Sequence, residues 1–402
     1  MFDHRCTTNP IPFNPKPSVR EEIRRRVRGA IEAVLDEELE ATLGAARYQR
    51  TEQRTGFRNG SHRRTVTTEQ GPTTLTIPRG RVMDQHGRSR EWRSELLPRY
   101  QRRTAQVDEA ILGSYLAGSG TRRIKRALEP LLGESSLSKS AISRIVGRLK
   151  SHFEQWSQRD LSGECYAVVY LDAIRLPIRM AGRVVKVPVQ AALGVTADGQ
   201  KVLISMSIAA SESTAAWTSS LRDLVDRHLP APMLVVIDGC KGLRAAVREA
   251  WPEALVQRCT KHKLENLLAK APKHSHDELK RDYRAITHAD SASAARDAYA
   301  SFLTKWRRIL ASVATCLEEA GEELLTFTRF PKSQWKSLRT TNVLERVNGE
   351  FRRRTKTQGS FRHEQSALTL LFGLIAMGQL RLRKIDGWRD LSRWPEIINT
   401  AA

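Results

Sequence analysis

The sequence predicts an α/β protein in which a mainly helical N-terminal region precedes a mixed sheet. Three observations lead to this fold class. Apolar residues repeat at helical spacing through much of the first 150 residues, the periodicity changes to that of strands after residue 165, and helical spacing returns near residue 275. With 402 residues, the chain has room for two or three domains and a sizeable core.

Residues 1–46 are predicted to be a Pro-rich tail followed by an amphipathic helix. Ser18 and Glu21 have the spacing of a capping box, in which each side chain bonds to the backbone of the other residue. Apolar residues recur behind them every three or four positions, so we expect a helix over residues 18–43.

Residues 47–104 are predicted to form a small basic module that contains strands. Residues 65–68 and 73–78 have the β-branched composition of short strands, whereas residues 54–60 are rich in turn formers. Arg58 lies in this turn-rich segment, where its charge can contact DNA phosphates or simply face solvent.

Residues 105–160 are predicted to form a helix-turn-helix region that binds DNA. In its third helix, Ser138 can cap the N-terminus. The apolar residues expected to face inward are spaced i, i+3, i+4, i+7, at Ile142, Ile145, Val146 and Leu149. The basic residues expected to face outward toward a DNA groove are Lys139, Arg144 and Arg148. A plain helical hairpin with a polar face is the alternative.

Residues 161–274 are predicted to form the first part of an α/β core. Three strands are expected at 165–179, 184–196 and 201–208, and Asp198-Gly199 is the hairpin turn between the last two. A helix, a fourth strand, another helix and a fifth strand follow. This is the element order of an RNase H-like core.

Residues 275–334 carry no strand signal, and their apolar residues recur at helical spacing, which predicts a helical insertion. The core is expected to resume in residues 335–402. One helix is predicted at 342–356 and a more apolar one at 364–383.

Asp172 lies inside an apolar strand, where a carboxylate is costly unless it is paired or bound to a cation. Strand alternation places it on the same face as Val168 and Tyr170. The structural alternative is an ordinary salt bridge to Arg175 or Arg179.

Asp238-Gly239 follows a buried strand and precedes a helix, whereas Asp198-Gly199 lies between two hairpin strands. Ligands collect at the carboxyl ends of strands in open α/β sheets. We therefore interpret Asp238 as functional and Asp198 as a turn residue, although a simple turn at 238 is also possible.

Glu345 lies on the predicted helix at 342–356. Its spacing from Asn342 suits a capping box, which is the structural alternative. Against this, Glu345, Asn348 and Arg352 form a polar stripe at i, i+3, i+7, where a core helix would be apolar. Glu350 is the other candidate for a third acidic ligand.

The net charge of the chain indicates the kind of substrate on which these acids act. The chain has 67 Lys and Arg against 44 Asp and Glu, a formal charge of +23, which favours nucleic acid as a partner. Two Mg²⁺ ions about 4 Å apart repel each other and need anionic oxygens around them. Three converging carboxylates on so basic a protein therefore predict metal-dependent phosphodiester chemistry.

Other sequence features indicate the cellular compartment of the protein. No apolar run reaches the length of a membrane span, and the first residues lack an apolar signal core. The five cysteines are odd in number and scattered, which is typical of reduced thiols. We expect a cytoplasmic protein associated with the nucleoid and not with a membrane.

Several motifs together resemble those of the Mutator-type bacterial insertion-sequence transposases. The N-terminal matches are Arg54-Thr-Gly-Phe-Arg-Asn-Gly60 and Leu75-x-Ile-Pro-Arg79. The central and C-terminal matches are Asp238-Gly-x-Lys-Gly-Leu243, Gln257-Arg-Cys-Thr-Lys-His-Lys-Leu-Glu-Asn266 and Thr340-Thr-Asn-x-x-Glu-Arg-x-Asn348, which runs into Arg352-Arg-Arg-Thr-Lys356. The resemblance covers residues from about Arg47 to Arg383.

This resemblance implies a DDE transposase with an RNase H-like core. It makes Asp172, Asp238 and Glu345 the catalytic residues and the ligands of Mg²⁺, with Mn²⁺ as a substitute. The residues that hold DNA phosphates near the metal would be Arg352, Arg353, Arg354 and Lys356. Those that support the site would be Cys259, His262 and Asn348. The partners would be the terminal inverted repeats and target DNA, bound by at least a dimer.

Three alternatives stay open. Cys259 and His262 can ligate zinc together with His274 and His276, although the spacing fits no common closed site. The chain can be a domesticated DNA-binding regulator without catalysis, or an RNase H-like nuclease that cuts without joining.

Overall fold

A computed structural model describes residues 18–84, 87–132, 137–180, 182–356, 361 and 363–394. The predicted α/β class is confirmed, because helices accompany two separate sheets. The chain divides into two compact units. Unit 1 contains the residues up to 115 together with 120–145, and unit 2 contains 116–119 and the residues from 146 onward. The predicted Pro-rich tail lies outside the described residues.

Unit 1 begins with a long helix, continues as a three-stranded sheet and ends in helices. Its elements are α1 (Val19–Leu43), β1 (Gly56–Thr68), β2 (Gly71–Met83), β3 (Ser89–Glu91), α2 (Ala105–Leu116), α3 (Thr121–Leu132) and α4 (Lys139–Ser157), of which α2 and α4 continue into unit 2. The capping box at the start of α1 is confirmed, since Ser18 and Glu21 each bond to the backbone of the other. Helix α1 packs on β2 through an apolar cluster of Leu35, Val66, Leu75 and Ile77.

The turn predicted at residues 54–60 is wrong, because β1 already begins at Gly56 and pairs with the end of β2. A Cβ atom at Gly56 would lie 2.0 Å from the Arg81 carbonyl oxygen, so glycine allows the close approach of the two strands. Gly60 has a φ of +73° beside a register shift in β1. These glycines shape a strand rather than end one.

Unit 2 contains a five-stranded sheet. Its first elements are β4 (Val168–Met180), β5 (Arg183–Val195), β6 (Lys201–Ile208), α5 (Thr214–Asp226), β7 (Leu234–Ile237), α6 (Lys241–Ala250), β8 (Leu255–Arg258) and α7 (Thr260–Ala269). The strand order is β6-β5-β4-β7-β8; β4, β5 and β6 are antiparallel, whereas β7 and β8 run parallel to β4. The predicted sequence of strands and helices is therefore confirmed.

The two faces of β4 contact different layers. Val169 and Leu171 belong to an apolar cluster with Trp217 and Leu221 of α5 and with Leu243 of α6. Tyr170 and Asp172 face the opposite side, because Tyr170 donates a hydrogen bond to the Ser337 carbonyl and Asp172 accepts one from Asn348. Side chains alternate along a strand, so Asp172 shares its face with the buried apolar residues Val168 and Ile174. The acid is therefore a single carboxylate within an otherwise apolar face of β4.

The segment after α7 is helical, as predicted, and residues 275–330, all of which are described, contain no strand. Its elements are α8 (His276–Thr287), α9 (Ala292–Ile309), α10 (Ala311–Glu318) and 3₁₀ turns at Gly321–Leu324 and Thr326–Arg329. The C-terminal helices are α11 (Trp335–Leu338), α12 (Asn342–Lys356) and α13 (Glu364–Ala376). Helix α12 has its predicted bounds, whereas α13 is shorter than predicted. Within the described ranges, no helix is long and apolar enough to cross a bilayer.

Candidate active site

The register of β4 and β7 brings two of the predicted acids to the same level of the sheet. These strands are parallel, and Tyr170 is opposite Val236. Continuing the register by two residues places Asp172 beside Asp238. The parallel pairing ends at Tyr170 and Val236, and Asp238 directly follows Ile237, the last residue of β7.

Asp172 is buried, with 8% of its surface exposed, and it is held by two donors. Its Oδ1 accepts a 2.9 Å bond from the Ala173 N–H, and its Oδ2 accepts a 3.0 Å bond from Asn348 Nδ2 on α12. The alternative of a salt bridge to Arg175 is not observed, because Arg175 pairs with Glu212 at 3.0 Å. The bond to Asn348 links β4 to α12 beside the acid.

Burial raises the pKa of Asp172 to about 6, because the ionised carboxylate loses hydration. The negative charges of Asp238 and Glu345 also raise this pKa, whereas His262 and the Ala173 N–H oppose the increase. Asp238 and Glu345 therefore each lie close enough to Asp172 to repel its negative charge. A cluster of this kind favours a bound cation that would neutralise it.

Asp238 and Asp198 are both followed by a glycine with positive φ, but the surroundings differ. Gly199 has a φ of +81° in the β5–β6 hairpin, as the turn interpretation predicts. Gly239 has a φ of +97°, and a Cβ there would lie 2.4 Å from the buried guanidinium of Arg258. Asp238 Oδ1 accepts a 2.8 Å bond from the Cys240 N–H, which orients the carboxylate.

Glu345 projects from the first turn of α12 and forms an ion pair with Lys261 of α7. Its Oε1 is buried and has no hydrogen-bond partner. The capping alternative is not observed, because the Asn342 N–H bonds to Thr340 Oγ1 at 3.4 Å. Glu350, the other candidate ligand, pairs with Arg353 instead.

Cys259 and His262 lie at the N-terminus of α7 and are linked electrostatically. Burial opposes ionisation of Cys259, but hydrogen bonds from His262 and Thr341 outweigh it and lower the thiol pKa. The contact with Cys259 raises the pKa of His262 to about 9, and the charges of Asp172 and Asp238 add to this increase. The surroundings of His262 therefore favour its protonated form next to the acids.

The closest group of possible metal ligands differs from the predicted triad. Among the described residues, Cys259, His262 and Glu345 have ligand atoms that all lie within 4.8 Å of one another. The three acids are not such a group, and neither His274 nor His276 joins it. The zinc set suggested by the sequence is thus not assembled.

The oxygen atoms of the site nevertheless fit Mg²⁺. Glu345 Oε1 and Asn348 Oδ1 are both buried without a partner, which is costly for a polar atom unless something binds it. Carboxylate and amide oxygens are the ligands that a hard cation prefers. The acids therefore suit Mg²⁺ better than the sulfur-containing group does.

The residues predicted to contact DNA fall in both units. In unit 1, Arg58 is mostly buried and pairs with Asp36 at 2.6 Å and with Glu40 at 2.9 Å, so its charge is neutralised within the protein. A contact between Arg58 and DNA stays a prediction, and its observed role is to join β1 to α1. The basic residues of α4 are exposed at Lys139, Arg144 and Arg148. On α12, Arg352, Arg353 and Lys356 are exposed and Arg354 is half-buried.

Sequence reasoning missed two cations near the acids. Lys261 pairs with Glu345 across 84 residues of sequence, and Arg258 is buried behind Gly239. Both residues lie in the Gln257–Asn266 motif, and this motif was the only sequence feature that pointed to them. A basic residue in a motif does not by itself reveal which carboxylate or carbonyl it contacts.

Comparisons with known proteins agree with this arrangement of motifs. The model of the transposase family called Mutator matches residues 13–379. The chain is 35% identical to the transposase of insertion sequence ISRM5 from Rhizobium meliloti, over 87% of this chain and 84% of the relative. It is 34% identical to the IS1081 transposase of Mycobacterium tuberculosis, over 82% and 77%, and 31% identical to the IS256 transposase of Staphylococcus aureus, over 81% of each. The chain belongs to the Mutator family of insertion-sequence transposases.

Proposed function

We propose that the protein is a DDE transposase that binds the terminal inverted repeats of its element, cleaves DNA at the element's ends and joins the freed 3′-hydroxyl to target DNA. The observation that carries this proposal is that Asp172 of β4 lies at the level of Asp238, at the carboxyl end of β7, and bonds to Asn348 of α12. The strand order supports an RNase H-like core, in which three antiparallel strands are followed by two parallel ones.

Asp172, Asp238 and Glu345 would hold Mg²⁺, and Mn²⁺ would substitute. The bound metal supplies Lewis-acid activation of the attacking oxygen and stabilisation of the leaving oxygen. Asn348 holds the Asp172 carboxylate, and the Cys240 N–H holds that of Asp238.

In cleavage, a water oxygen bonds to phosphorus and the bond to the 3′ oxygen breaks, which leaves a 3′-hydroxyl. In joining, this hydroxyl attacks a target phosphodiester and displaces the corresponding 3′ oxygen there. Both steps place negative charge beside a site that already carries three acids. Protonated His262 would offset part of that charge, and the basic end of α12, from Arg352 to Lys356, would hold the DNA backbone.

The N-terminal region would recognise the element's ends. The exposed basic residues of α4 provide phosphate or base contacts, as expected for the third helix of a helix-turn-helix. Two ends must be brought together for transposition, so we propose that at least two copies act on DNA. The working compartment would be the bacterial cytoplasm, at the nucleoid.

The test compares Asp238→Asn with Asp198→Asn on DNA that carries the element's ends. Both variants lose one carboxylate before a positive-φ glycine, but only Asp238 belongs to the proposed site. We expect Asp238→Asn to abolish cleavage and joining while end binding persists, and Asp198→Asn to retain all three. Undiminished joining by Asp238→Asn refutes the assignment. Cleavage without joining by the unaltered protein indicates a nuclease, and end binding without cleavage indicates a regulator.

A further inference from the structure

Two buried cations share one partly exposed carboxylate behind Asp238. Arg258 ends β8, and Lys263 lies on α7; both side chains are about 2% exposed. Glu319, at the end of α10 in the helical insertion, lies between them. Its Oε1 is 3.5 Å from Arg258 Nη2, and its Oε2 accepts a 2.8 Å bond from Lys263 Nζ. Buried cations are rare unless they are paired, so this cluster needs Glu319.

Arg258 connects the cluster to the backbone next to Asp238. Its Nη2 donates a 3.0 Å bond to the Gly239 carbonyl oxygen. The guanidinium also fills the space where a side chain at position 239 would begin. Asp238 is thus followed by a peptide whose position depends on where Arg258 is held.

The insertion contacts the same strand at a second place. Gln257 of β8 is fully buried; its Nε2 donates to the Leu324 carbonyl at 3.0 Å, and its Oε1 accepts from the Phe327 N–H at 2.6 Å. These bonds fix the insertion along β8, so Glu319 has a defined place relative to Arg258. The helical insertion therefore helps to position the residues of β8, including Arg258.

We propose that Glu319, acting through Arg258, is a positioning residue for Asp238. The contact chain runs from the helical insertion to the loop that carries a proposed metal ligand. The part of this inference that concerns catalysis rests on the proposed function. The structural part, that Glu319 orders the residues around Asp238, is independent of catalysis. Residues that support metal ligands in this way change metal affinity or activity by about 10–100-fold when they are replaced.

Glu318 provides a matched control for Glu319. The two residues are adjacent, their side chains are 36% and 39% exposed, and each pairs with a basic residue. Glu318 pairs with Arg307, which also lies on the insertion, and this ion pair does not involve β8. Glu319→Gln and Glu318→Gln remove the same charge one residue apart.

The experiment measures three properties of the full-length protein. Amide hydrogen exchange of the peptide containing Asp238 and Gly239 reports local order. Calorimetric titration with Mn²⁺ reports cation affinity without DNA. Cleavage of end-bearing DNA reports activity. We expect Glu319→Gln to accelerate exchange in this peptide and to weaken Mn²⁺ binding and cleavage by about tenfold or more, whereas Glu318→Gln matches the unaltered protein.

Two outcomes separate this inference from the proposed function. Identical exchange and Mn²⁺ affinity in the two variants overturn the role of Glu319, even when the unaltered protein cleaves DNA. Failure of the unaltered protein to cleave refutes the function, but the exchange comparison still decides whether Glu319 orders the loop. Should Glu319→Gln not fold, Glu319→Asp keeps the charge with a shorter reach and is expected to show the same changes to a smaller extent.

Discussion

Replacing Asp172 with Asn is expected to stabilise the folded protein at pH 8 although it removes a proposed metal ligand. The acid is buried, and its pKa is raised from 3.8 to about 6. Each pH unit of difference between the folded and unfolded states is worth about 1.4 kcal/mol, so ionised Asp172 costs the cation-free fold about 3 kcal/mol. Asn removes that charge at nearly the same size.

Part of this gain is offset by hydrogen bonding. Asp172 accepts from both Ala173 and Asn348, whereas an amide has one acceptor oxygen and must present its NH₂ group to one of these donors. Losing one such bond costs about 1 kcal/mol. The expected net stabilisation is therefore about 2 kcal/mol at pH 8.

The sign of the pH dependence follows from the direction of the shift. Between pH 3.8 and about 6 the folded protein keeps a proton on Asp172 that the unfolded chain has lost. The cost of the charge therefore grows as the pH rises through this window and is complete above it. Lowering the pH from 8 to 5 should remove about half of the 3 kcal/mol term.

The assay is urea unfolding of both proteins in EDTA at pH 8 and pH 5. Asp198→Asn serves as the control, because Asp198 is exposed and its hydrogen bonds to Thr196 and Lys384 lower its pKa. That variant should gain no stability at pH 8. If Asp172→Asn is no more stable than the unaltered protein at pH 8, or if its advantage is unchanged at pH 5, the burial argument for Asp172 is wrong.

Three further predictions concern other residues of the fold and site. Arg58→Ala should lower the free energy of unfolding by about 1–3 kcal/mol, because two carboxylates lose their partner, whereas Arg63→Ala, at an exposed position, should leave it unchanged. Urea unfolding of both variants measures the difference, and equal stability would show that the Arg58 ion pairs do not stabilise the fold. Gly239→Ala should lower the melting temperature and abolish DNA cleavage, because φ is +97° and Arg258 occupies the space; a variant with normal cleavage would contradict this geometry. Asn348→Leu should reduce cleavage by about 10–100-fold in a time course with end binding retained, and full activity would exclude Asn348 from holding its acid.

Much of unit 2 could be predicted from the sequence because its signals are local. The bounds of α12 follow from the spacing of its apolar and polar residues, and the β5–β6 turn follows from Asp198-Gly199. The face of β4 that carries Asp172 follows from strand alternation, and its bond to Asn348 agrees.

Contacts between distant segments could not be predicted in this way. Gly56 suggested a turn because the reason for a glycine there is the close approach of β2, which the neighbouring sequence does not reveal. Arg58 suggested a free charge because its partners come from a helix 18 and 22 residues earlier. The ion pair of Lys261 with Glu345 requires the whole insertion to fold between them. A sequence pattern carries charge and spacing but not the identity of a remote partner.

The bond between Asp172 and Asn348 joins residues 176 positions apart, and this separation has a consequence during translation. A nascent chain leaves the ribosome from its N-terminus onward, and a domain folds as a unit once enough of it has emerged. The strands that carry Asp172 and Asp238 emerge well before α12, so an unfinished polypeptide holds two of its acids without the third or the asparagine. Ribosome-bound chains stalled before residue 342 should therefore lack both Glu345 and Asn348, and with them part of the proposed metal site.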